Sequence, residues 1–328
     1  FAQRRMEDGA SVVDDFDWSS PVDFDGQEWE FTGGVLGSGS FGVVLDARGA
    51  TTDERVAVKV LSMDTMSSWR ERQSDTEIAL WSKLQHPSIV RFLGHMQLRQ
   101  SAGHNFLLLF CEPLDGGELM DHIAQRDRFL ESEASSIMLQ LISAVAHMHE
   151  RRICHRDIKP QNVVCAERPE GAGGEWRVKL CDFGHAKLLD AAASDPHLHT
   201  PCGSHQYAAP EVTRRLHNEA QPAYTLAVDL WGLGCILHLL LSGERPPRGA
   251  APLCATSNWA GVSAEGRELL RQLMQPSPAA RPSAAHAMHH RWLRAAPKTP
   301  LQTPHVGRPQ PRVTTHTWWS ERVAPAPA

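Results

Sequence analysis

The sequence of 328 residues is poor in several features that would place a protein outside the ordinary globular classes. Basic residues are not in excess, because 33 Lys and Arg stand against 38 Asp and Glu, which gives a net charge of −5. No overall positive field therefore draws the chain to nucleic acid or to a membrane surface. The seven cysteines are scattered and contain no C-x-x-C pair, so we expect reduced thiols rather than a disulfide framework. Reduced thiols indicate an intracellular protein, cytoplasmic or nuclear.

The sequence also lacks a long apolar run. The most apolar stretch covers residues 226–241, but Asp229 and His238 interrupt it and it falls short of a membrane span. We predict a buried helix there and no insertion into a membrane. No apolar run follows the first residues that could serve as a secretion signal. With 41% hydrophobic and 22% charged residues, the composition is typical of a folded protein with one large core or two lobes.

Patterning divides the chain into a leader, a β-rich part, an α-rich part and a tail. Residues 1–28 hold eight carboxylates and show little periodicity, which predicts a flexible acidic leader. Short β-branched runs predict five strands, at residues 35–36, 43–45, 56–60, 89–92 and 106–111. Helical spacing predicts helices at residues 75–84, 134–149, 226–241 and 264–274. The many prolines after Leu293 predict a disordered tail over residues 294–328.

A glycine-rich segment between two predicted strands is the first motif with chemical meaning, Gly37-Ser38-Gly39-Ser40-Phe41-Gly42. Glycine has no side chain in the way, so the backbone amides of such a hairpin can approach phosphate groups closely. The dinucleotide-binding turn of an oxidoreductase has the same glycine spacing but needs a helix directly after it, and here the β-branched Val43-Val44 follows. A hairpin without a ligand remains an alternative for this motif taken alone.

A lysine lies inside the next apolar strand, Val56-Ala57-Val58-Lys59. An unpaired ammonium group is costly to bury, so Lys59 requires an anionic partner. Glu77, on the predicted helix that follows, and the phosphates of a nucleotide are the two candidates. The alternative is a lysine that extends from a strand edge into water.

Three further motifs follow in order: His155-Arg156-Asp157-Ile158-Lys159-Pro160-Gln161-Asn162, Asp182-Phe183-Gly184 and Ala209-Pro210-Glu211. Together with the glycine-rich segment and Lys59, they make the sequence resemble the eukaryotic protein kinases over roughly residues 29–293. The motif has a lysine, Lys159, two residues after the aspartate, and in this it resembles the serine/threonine kinases rather than the tyrosine kinases. His185 and the segment Thr200-Pro201-Cys202-Gly203 resemble the calcium/calmodulin-dependent kinase group, nearest to its checkpoint-kinase branch.

The resemblance implies an α+β, bilobal protein kinase fold. The N-lobe, residues 29–111, would hold a five-stranded antiparallel sheet and one main helix. Residues 112–115 would form the hinge and residues 116–293 the larger α-helical C-lobe. The implied activity is transfer of the γ-phosphate of ATP, with Mg²⁺, to Ser or Thr hydroxyls of protein substrates in a signalling pathway.

The resemblance also assigns roles to residues of this chain. The implied catalytic residues are Asp157, Lys159, Lys59 and Glu77, and the implied magnesium ligands are Asn162 and Asp182. Lys59 would hold the α- and β-phosphates and be tethered by Glu77. Asp157 would orient the acceptor hydroxyl and take its proton, while Lys159 would steady the γ-phosphate. The implied ATP-binding positions are Leu36, Gly37, Ser38, Gly39, Ser40, Phe41, Gly42, Val44, Ala57, Lys59, Cys111, Glu112, Leu114, Glu118 and Val164.

The resemblance places regulation in the segment between Asp182 and Glu211. Thr200 occupies the position where many relatives carry an activating phosphate, and Arg156 is the family's partner for that phosphate. An unmodified loop threonine is the alternative. The implied structural supports are Phe183, Gly184, Glu211, Asp229 and Arg281, with Arg281 placed to pair with Glu211.

Several positions bear on substrate and ligand preference. Glu118 is placed by resemblance to receive an arginine three residues before the phosphoacceptor, whereas Gln161 replaces a glutamate of many basophilic relatives. The loss of that carboxylate weakens the case for a strongly basic substrate. Cys111 aligns with the gatekeeper at the back of the adenine pocket, and we favour an inert core thiol over an opened rear cavity.

Two segments depart from the family or its subgroup. Residues 242–259 look shorter than the relatives' equivalent, which predicts a reduced docking helix. Residues 294–328 contain no basic amphipathic helix, so calmodulin binding is not expected. The alternative function is a pseudokinase scaffold that binds partners without catalysis, and the intact set of catalytic residues argues against it.

Overall fold

The structure, a computed structural model, describes residues 15–39, 42–64, 66–167, 175–189, 206–215, 225–246, 259 and 261–294. The described residues fall into two compact units. The first unit holds residues 15–71 and 92–113, and the second holds residues 72–91 and 114–294 within those ranges. A small β-rich unit and a larger helical unit confirm the predicted bilobal class of fold.

The first unit is built on an antiparallel sheet. Its described strands are β1 (Val22–Phe24), β2 (Gln27–Gly39), β3 (Gly42–Gly49), β4 (Arg55–Ser62), β5 (Phe92–Arg99) and β6 (Asn105–Cys111). They pair in the order β1-β2-β3-β4-β6-β5. The prediction of five strands is therefore wrong by one strand. The additional strand, β1, lies before residue 29, where the predicted N-lobe begins.

The central strands of this sheet show why the sequence forms it. In β4, the side chains of Val56, Val58 and Val60 point to one face and are buried. The cross-strand residues Phe106 and Phe110 of β6 lie on the same face, since β4 and β6 are antiparallel neighbours. Side chains alternate between the faces of a strand, so Lys59 projects to the opposite face. The β-branched residues of β4 thus build a core and leave the other face for polar chemistry.

One predicted strand is misplaced. Residues 89–92 were expected to form a strand, but β5 begins only at Phe92 and runs to Arg99. Its side chains alternate between intermediate burial and exposure, so its sequence is half polar and carries a weak apolar signal. Ile89 instead forms a single parallel bridge with Leu180, and the Val90 amide donates to the Leu180 carbonyl at 3.0 Å. The apolar run at 89–90 is buried core of the second unit.

Residues 15–24 form what we call the N-terminal strap, which packs against the sheet of the first unit. Phe16 is 3% exposed, and its ring lies 5.2 Å from that of Phe31 and 5.0 Å from that of Phe106 in edge-to-face geometry. The side-chain amide of Gln100 accepts from the Asp17 amide at 2.8 Å and donates to the Asp17 carbonyl at 2.9 Å. The prediction of a flexible leader is therefore wrong for residues 15–28, because alternating aromatic residues bind the segment despite its carboxylates.

The second unit is mainly helical. Its described helices are α1 (Ser68–Trp81, whose first turn belongs to the first unit), α2 (Leu119–Ala124), α3 (Glu131–Glu150), α4 (Pro210–Arg215), α5 (Ala227–Ser242), α6 (Ala264–Leu273), α7 (Ala284–Ala287) and α8 (Arg291–Arg294). Two small ribbons pair β7 (Ile153–Cys154) with β10 (Lys187–Leu188), and β8 (Val163–Cys165) with β9 (Val178–Leu180). The four predicted helices all correspond to helices in the structure. Their ends differ by at most three residues, except that α1 begins seven residues before the predicted start at residue 75.

The predicted N-lobe, residues 29–111, differs from the first unit at residues 72–91. These residues pack with the second unit, where the Trp81 ring lies 5.6 Å from the Phe183 ring. The Trp81 indole also donates to the Val90 carbonyl at 2.6 Å. Aromatic packing and the bridge at Ile89 thus attach this stretch to the second unit rather than to the sheet.

The longest apolar stretch of the sequence forms α5, and every residue from Asp229 to Ser242 is buried. This helix ends at Gly243, which has φ +72° and donates its amide to the Leu239 carbonyl at 2.9 Å. A Cβ at Gly243 would lie 1.7 Å from the Asp127 carbonyl oxygen, so only glycine fits at this helix end. The prediction of a buried helix is confirmed, and within the described residues no helix is long and apolar enough to cross a membrane.

The cysteines of the described ranges are all free thiols, at positions 111, 154, 165, 181 and 235. Four of them are buried and Cys181 is partly exposed. Burial raises the pKa of Cys111, Cys165 and Cys235 to about 12, so these thiols stay protonated. Four of the five described cysteines are therefore core residues, as expected, while Cys202 and Cys254 lie outside the described residues.

Candidate active site

The glycine-rich segment lies where β2 turns into β3. Gly37 pairs with Val44, and Gly39 pairs with Gly42 at the end of the ladder. Gly42 has φ +153°, and a Cβ there would come within 2.2 Å of the Val60 carbonyl oxygen of β4. Only glycine lets β3 approach β4 this closely. A strand follows Gly42, which excludes the helix that a dinucleotide-binding turn requires; Ser40 and Phe41 lie outside the described residues.

Lys59 shares one face of the sheet with other predicted ATP-binding residues. It pairs across the sheet with Val44, and its strand neighbour Ala57 pairs with Cys111. Lys59 is partly buried, as expected for a lysine in an apolar strand. Cys111 is 7% exposed, and burial, reinforced by the charge of Glu112, raises the pKa of its thiol to about 12. A protonated, buried thiol fits the predicted inert core cysteine, and the alternative of an opened rear cavity stays untested.

Other predicted ATP-binding positions are divided between the two units. Leu36 on β2 is 36% exposed, and Glu112, just after β6, is buried. In the second unit, Glu118 precedes α2 and forms an isolated antiparallel bridge with Val164 of β8. Leu114 begins the second unit, so the unit boundary falls inside the predicted hinge.

The second unit holds the predicted catalytic loop between β7 and β8. Asp157 is 6% exposed and its Oδ2 atom lies 2.8 Å from the Lys159 ammonium nitrogen. The Asn162 side-chain amide donates to the Asp157 backbone carbonyl at 2.8 Å and to its Oδ2 atom at 3.0 Å. These contacts fix the direction of the carboxylate, as a group that must receive a proton in a defined place requires.

Asn162 and Asp182 fit the role of magnesium ligands. Asn162 is fully buried, and because its amide nitrogen is used on Asp157, its Oδ1 atom has no hydrogen-bond partner among the described residues. A buried amide oxygen without a donor is costly unless another ligand satisfies it. Asp182 follows β9 with φ +61°, and its Oδ1 atom accepts a long hydrogen bond from the Gly184 amide at 3.4 Å. Both side chains offer the oxygen ligands that Mg²⁺ prefers.

A row of aromatic rings lies behind Asp182. The Phe183 ring is fully buried and lies 5.6 Å from the Trp81 ring and 5.3 Å from the His155 ring. His155 accepts from the Asp157 amide through Nδ1 at 3.3 Å, and its Nε2 lies 3.1 Å from the Cys181 carbonyl oxygen. This row connects α1 to the catalytic loop. Trp81 lies within the helix predicted at residues 75–84, but nothing in the sequence indicated its place beside Phe183.

Helix α1 also contacts the residues that directly follow Phe183. The side-chain amide of Gln73 donates to the Gly184 carbonyl. Glu77, one turn later, is 1% exposed, and a Cβ at Gly184 would lie 3.4 Å from its Oε2 atom. The Glu77 carboxylate therefore lies close beside the backbone of Gly184. Nothing in the sequence indicated this role of Gln73, because its partner is a backbone carbonyl of a distant segment.

Asp229 of α5 anchors the catalytic loop from beneath. Its carboxylate accepts from the backbone amides of His155 and Arg156, both at 2.9 Å, and from the His149 ring at 2.9 Å. Burial alone would raise the pKa of Asp229, but the hydrogen bond from His149 and the bond from the His155 backbone outweigh burial and lower it. Asp229 therefore stays charged and supports two consecutive loop amides.

Arg156 adopts a left-handed backbone conformation at φ +67°. The hydrogen bond from its backbone amide to the Asp229 carboxylate holds this conformation in place. Its Nε atom donates to the His185 carbonyl at 2.7 Å. Its Nη1 atom is buried and has no hydrogen-bond partner among the described residues. Burial lowers the pKa of the adjacent His185, although Asp157 and Asp182 favour its protonated form. A guanidinium with a spare buried donor is suited to receive an anion.

The predicted pair of Glu211 and Arg281 forms. Nη1 and Nη2 of Arg281 lie 2.6 and 2.7 Å from the two carboxylate oxygens of Glu211. The Arg281 side chain is completely buried, and its guanidinium lies 5.1 Å from the centre of the Trp231 ring. The pair joins α4 to the segment after the 3₁₀ turn Pro278–Ala280.

The structure thus assembles the predicted residues in two sets. Lys59, Ala57 and Cys111 lie in the first unit. The second unit brings together Asp157, Lys159, Asn162, Asp182 and Glu77. The predicted tether between Lys59 and Glu77 joins residues of different units and stays a prediction. Thr200 lies outside the described residues.

A glycine-rich hairpin, a lysine on the adjacent strand and a catalytic loop held by a buried aspartate define a protein kinase. A family model described as the protein kinase domain matches residues 32–293, and the chain belongs to this family. The predicted family is thereby confirmed.

Individual relatives agree with the family. The chain is 37% identical over 298 residues to ribosomal protein S6 kinase alpha-4 of Mus musculus, covering 83% of this chain and 36% of that protein. It is 32% identical over 286 residues to the probable serine/threonine-protein kinase fhkD of Dictyostelium discoideum, covering 79% and 36%. It is 32% identical over 274 residues to the calcium/calmodulin-dependent protein kinase cmkA of Emericella nidulans, covering 80% and 61%. The chain spans little more than a third of the first two relatives.

Proposed function

We propose that the chain is a protein serine/threonine kinase that uses Mg-ATP and acts in a signalling pathway. The observation that carries this proposal is the arrangement of Asp157, which both Lys159 and Asn162 hold in one direction. Family membership and relatives named as serine/threonine kinases support the same activity. Lys159 at the second position after Asp157 favours Ser or Thr as the acceptor.

The residues of the chain would divide the reaction as follows. When bound, Mg-ATP supplies the phosphoryl group to be transferred and the positive charge that offsets its oxygens. Asp157 orients the acceptor hydroxyl and holds its proton on a carboxylate oxygen. Lys159, 2.8 Å from Asp157, would steady the γ-phosphate oxygens, on which negative charge is concentrated during transfer. The Oδ1 atom of Asn162, which has no hydrogen-bond partner in the described part of the chain, and the carboxylate of Asp182 would hold the metal, while Lys59 would hold the phosphates.

An assay on a mixed library of Ser- and Thr-containing peptides tests this activity. Phosphate transfer from labelled ATP is expected for the full chain. The variant Asp157→Asn keeps the shape of the loop but cannot accept the proton, so its rate should fall by about 10²- to 10⁴-fold. Equal rates for the two proteins would overturn the mechanism, and absence of transfer by the unaltered chain in its activated form would favour a pseudokinase scaffold.

We also propose that phosphorylation of Thr200 activates the enzyme. The Nη1 atom of Arg156 is buried and has no hydrogen-bond partner among the described residues. This supports the regulation, because a phosphothreonine brings about −1.5 to −2 charges and strong acceptors. Thr200→Ala should lower activity by about tenfold or more, the effect of losing one charge-assisted contact. Thr200→Ser, which can still be phosphorylated, is the matched control. Full activity of the alanine variant would refute the assignment.

For substrates, we propose a preference for Arg three residues before the acceptor, received by Glu118, without a strongly basic consensus. The bridge between Glu118 and Val164 fixes its backbone at the start of α2. A positional peptide array should show this Arg preference, and Glu118→Gln should reduce it with little effect on peptides lacking Arg. An array without any preference at this position would contradict the role of Glu118.

The compartment follows from the thiols. We propose a reducing intracellular location, cytoplasmic or nuclear, because the five described cysteines are free and four of them are buried. Imaging of the fluorescently tagged full chain in cells tests this location, and accumulation in a secretory compartment would contradict it.

A further inference from the structure

The N-terminal strap contains a turn whose two serine hydroxyls are bound by one carboxylate. Asp17 accepts from the Ser19 amide at 3.0 Å, from the Ser19 hydroxyl at 2.6 Å and from the Ser20 hydroxyl at 2.7 Å. The two hydroxyl bonds, from Ser19 first, lower the pKa of Asp17, so it is charged at neutral pH. Ser19 and Ser20 are exposed to solvent, whereas the backbone of Asp17 is bound by Gln100.

On either side of this turn, aromatic and aliphatic side chains hold the strap against the sheet. Phe16 and Val22 are each 3% exposed. The Phe24 ring stacks on the Phe110 ring at 3.9 Å and lies over Gly94, where a Cβ would come within 2.5 Å of it. The strap therefore covers the face of the sheet opposite to Lys59. Its single exposed turn lies between two buried anchors.

The turn presents a serine followed by proline, Ser20-Pro21. We propose that Ser20 is a phosphorylation site for a proline-directed protein kinase, and that the phosphate releases the strap from the sheet of the first unit. Ser20 is exposed, so its hydroxyl is accessible to a modifying enzyme. The hydroxyl also donates a hydrogen bond to Asp17, and a phosphate on Ser20 would remove that bond from the strap. Transient opening of a short edge segment gives the modifying kinase access to the flanking residues.

The covalent step is an ordinary phosphoryl transfer. The Ser20 Oγ atom forms a bond to the γ-phosphorus of ATP held by the modifying kinase, and the bond from that phosphorus to the β,γ-bridging oxygen breaks. ADP leaves, and the hydroxyl proton passes to the catalytic aspartate of the modifying kinase. Afterwards Ser20 has no hydroxyl proton to donate to Asp17.

The phosphate reverses the sign of the interaction at the turn. It adds about −1.5 to −2 charges next to the Asp17 carboxylate, where a hydrogen bond had been. Asp15 and Asp23 are also within the strap, and residues 15–24 contain no Lys, Arg or His that could neutralise the phosphate. Closing the strap then forces like charges together, whereas the open strap separates them in water.

The experiment uses the full chain carrying Asp157→Asn, so that any phosphate comes from the added enzyme. A purified proline-directed protein kinase of the mitogen-activated class and ATP are added, and peptide mass mapping locates the phosphate. Hydrogen exchange then follows the amides of residues 15–24. We expect phosphate on Ser20 and a rise in amide exchange of about tenfold or more, the effect of placing the phosphate charge beside the Asp17 carboxylate.

Two variants control for charge and folding. Ser20→Ala should take up no phosphate and keep slow exchange, which shows that the strap folds without the hydroxyl. Thr51→Glu adds a negative charge at an exposed turn of the same unit and should leave the exchange of residues 15–24 unchanged. Ser20→Glu should speed the amide exchange of residues 15–24, because it places a second negative charge beside Asp17. Adding Asp17→Asn removes one of the two like charges and should slow that exchange again in part.

The proposal has two ways to fail. If the added kinase leaves Ser20 unmodified in the full chain, Ser20 is not its site. If Ser20 is phosphorylated and the amides of residues 15–24 still exchange slowly, the phosphate does not release the strap.

Discussion

Replacing Glu211 by Gln should destabilise the second unit strongly, because it leaves a fully buried guanidinium without its counter-charge. Arg281 makes two short bonds to Glu211, and its side chain has no exposed surface, whereas that of Glu211 is 18% exposed. Arg281 also donates to the carbonyls of Ala227 at 2.9 Å and Gln275 at 2.8 Å. These two bonds survive the substitution and limit the damage.

The expected magnitude follows from these contacts. Removing one partner of a buried ion pair costs about 3–5 kcal/mol. Gln keeps one acceptor oxygen of the right length, and Arg281 keeps its two carbonyl bonds, so we expect about 2–3 kcal/mol for Glu211→Gln. For a unit of this size, that corresponds to a melting temperature lower by roughly 4–12 °C. The sheet of the first unit should be unaffected.

Thermal unfolding followed by far-ultraviolet circular dichroism measures this change, since the helices dominate the signal. A double-mutant cycle gives the interaction itself: Glu211→Leu, Arg281→Met and the double variant. The double variant removes both charges and should lie closer to the unaltered protein than either single variant, because apolar replacement of a whole buried pair costs little. A loss below about 0.5 kcal/mol for Glu211→Gln would refute the reasoning, as would additive effects in the cycle.

Three further predictions concern other parts of the chain. Phe16→Ala should lower the free energy of unfolding of the first unit by about 3–5 kcal/mol, measured by urea denaturation, and a loss below 1 kcal/mol would mean that the strap does not bind the sheet. Burial, then neighbouring positive charges, lowers the pKa of His86 from 6.5 to about 4. The unfolded chain therefore binds more protons between these values, and stability should fall as the pH drops through this window. His86→Asn, which keeps an acceptor for the Ser88 amide, should flatten that decline, and an unchanged pH profile would exclude His86 as its source. Cys111, with a pKa of about 12, should resist iodoacetamide in the folded protein at neutral pH, and rapid labelling located by mass mapping would contradict its inert assignment.

The catalytic loop was the part of the site most open to prediction from sequence. Asp157, Lys159 and Asn162 lie within six consecutive positions, so the motif spacing alone nearly determines their contacts. Gln73 and Trp81 were not assigned roles, because their partners, the carbonyls of Gly184 and Val90, belong to other segments. Backbone carbonyls carry no signature in a sequence, so only the tertiary structure shows which side chain reaches them.

The fold was predicted least well where local composition and packing disagree. The strap reads as an acidic segment, yet Phe16 occupies a site among the aromatic residues of the sheet. At Ile89 the error was the opposite, because a β-branched run predicted a strand where the structure has none. Ile89 forms only a single bridge, with Leu180 of β9. In both cases the local structure depends on residues that are distant in the sequence. A prediction from neighbouring residues does not take such partners into account.

The hydrogen bonds that the amides of His155 and Arg156 donate to Asp229 determine which part of the chain can fold first during synthesis. Asp229 follows those amides by 74 and 73 residues, so the catalytic loop lacks its anchor until α5 has been made. The strands of the first unit, by contrast, are complete at Cys111. At typical rates of translation, on the order of ten seconds separate the two events. A ribosome-bound nascent chain should therefore carry a formed sheet while the catalytic loop is still unanchored, and chaperones that recognise exposed apolar segments would meet the second unit in that interval.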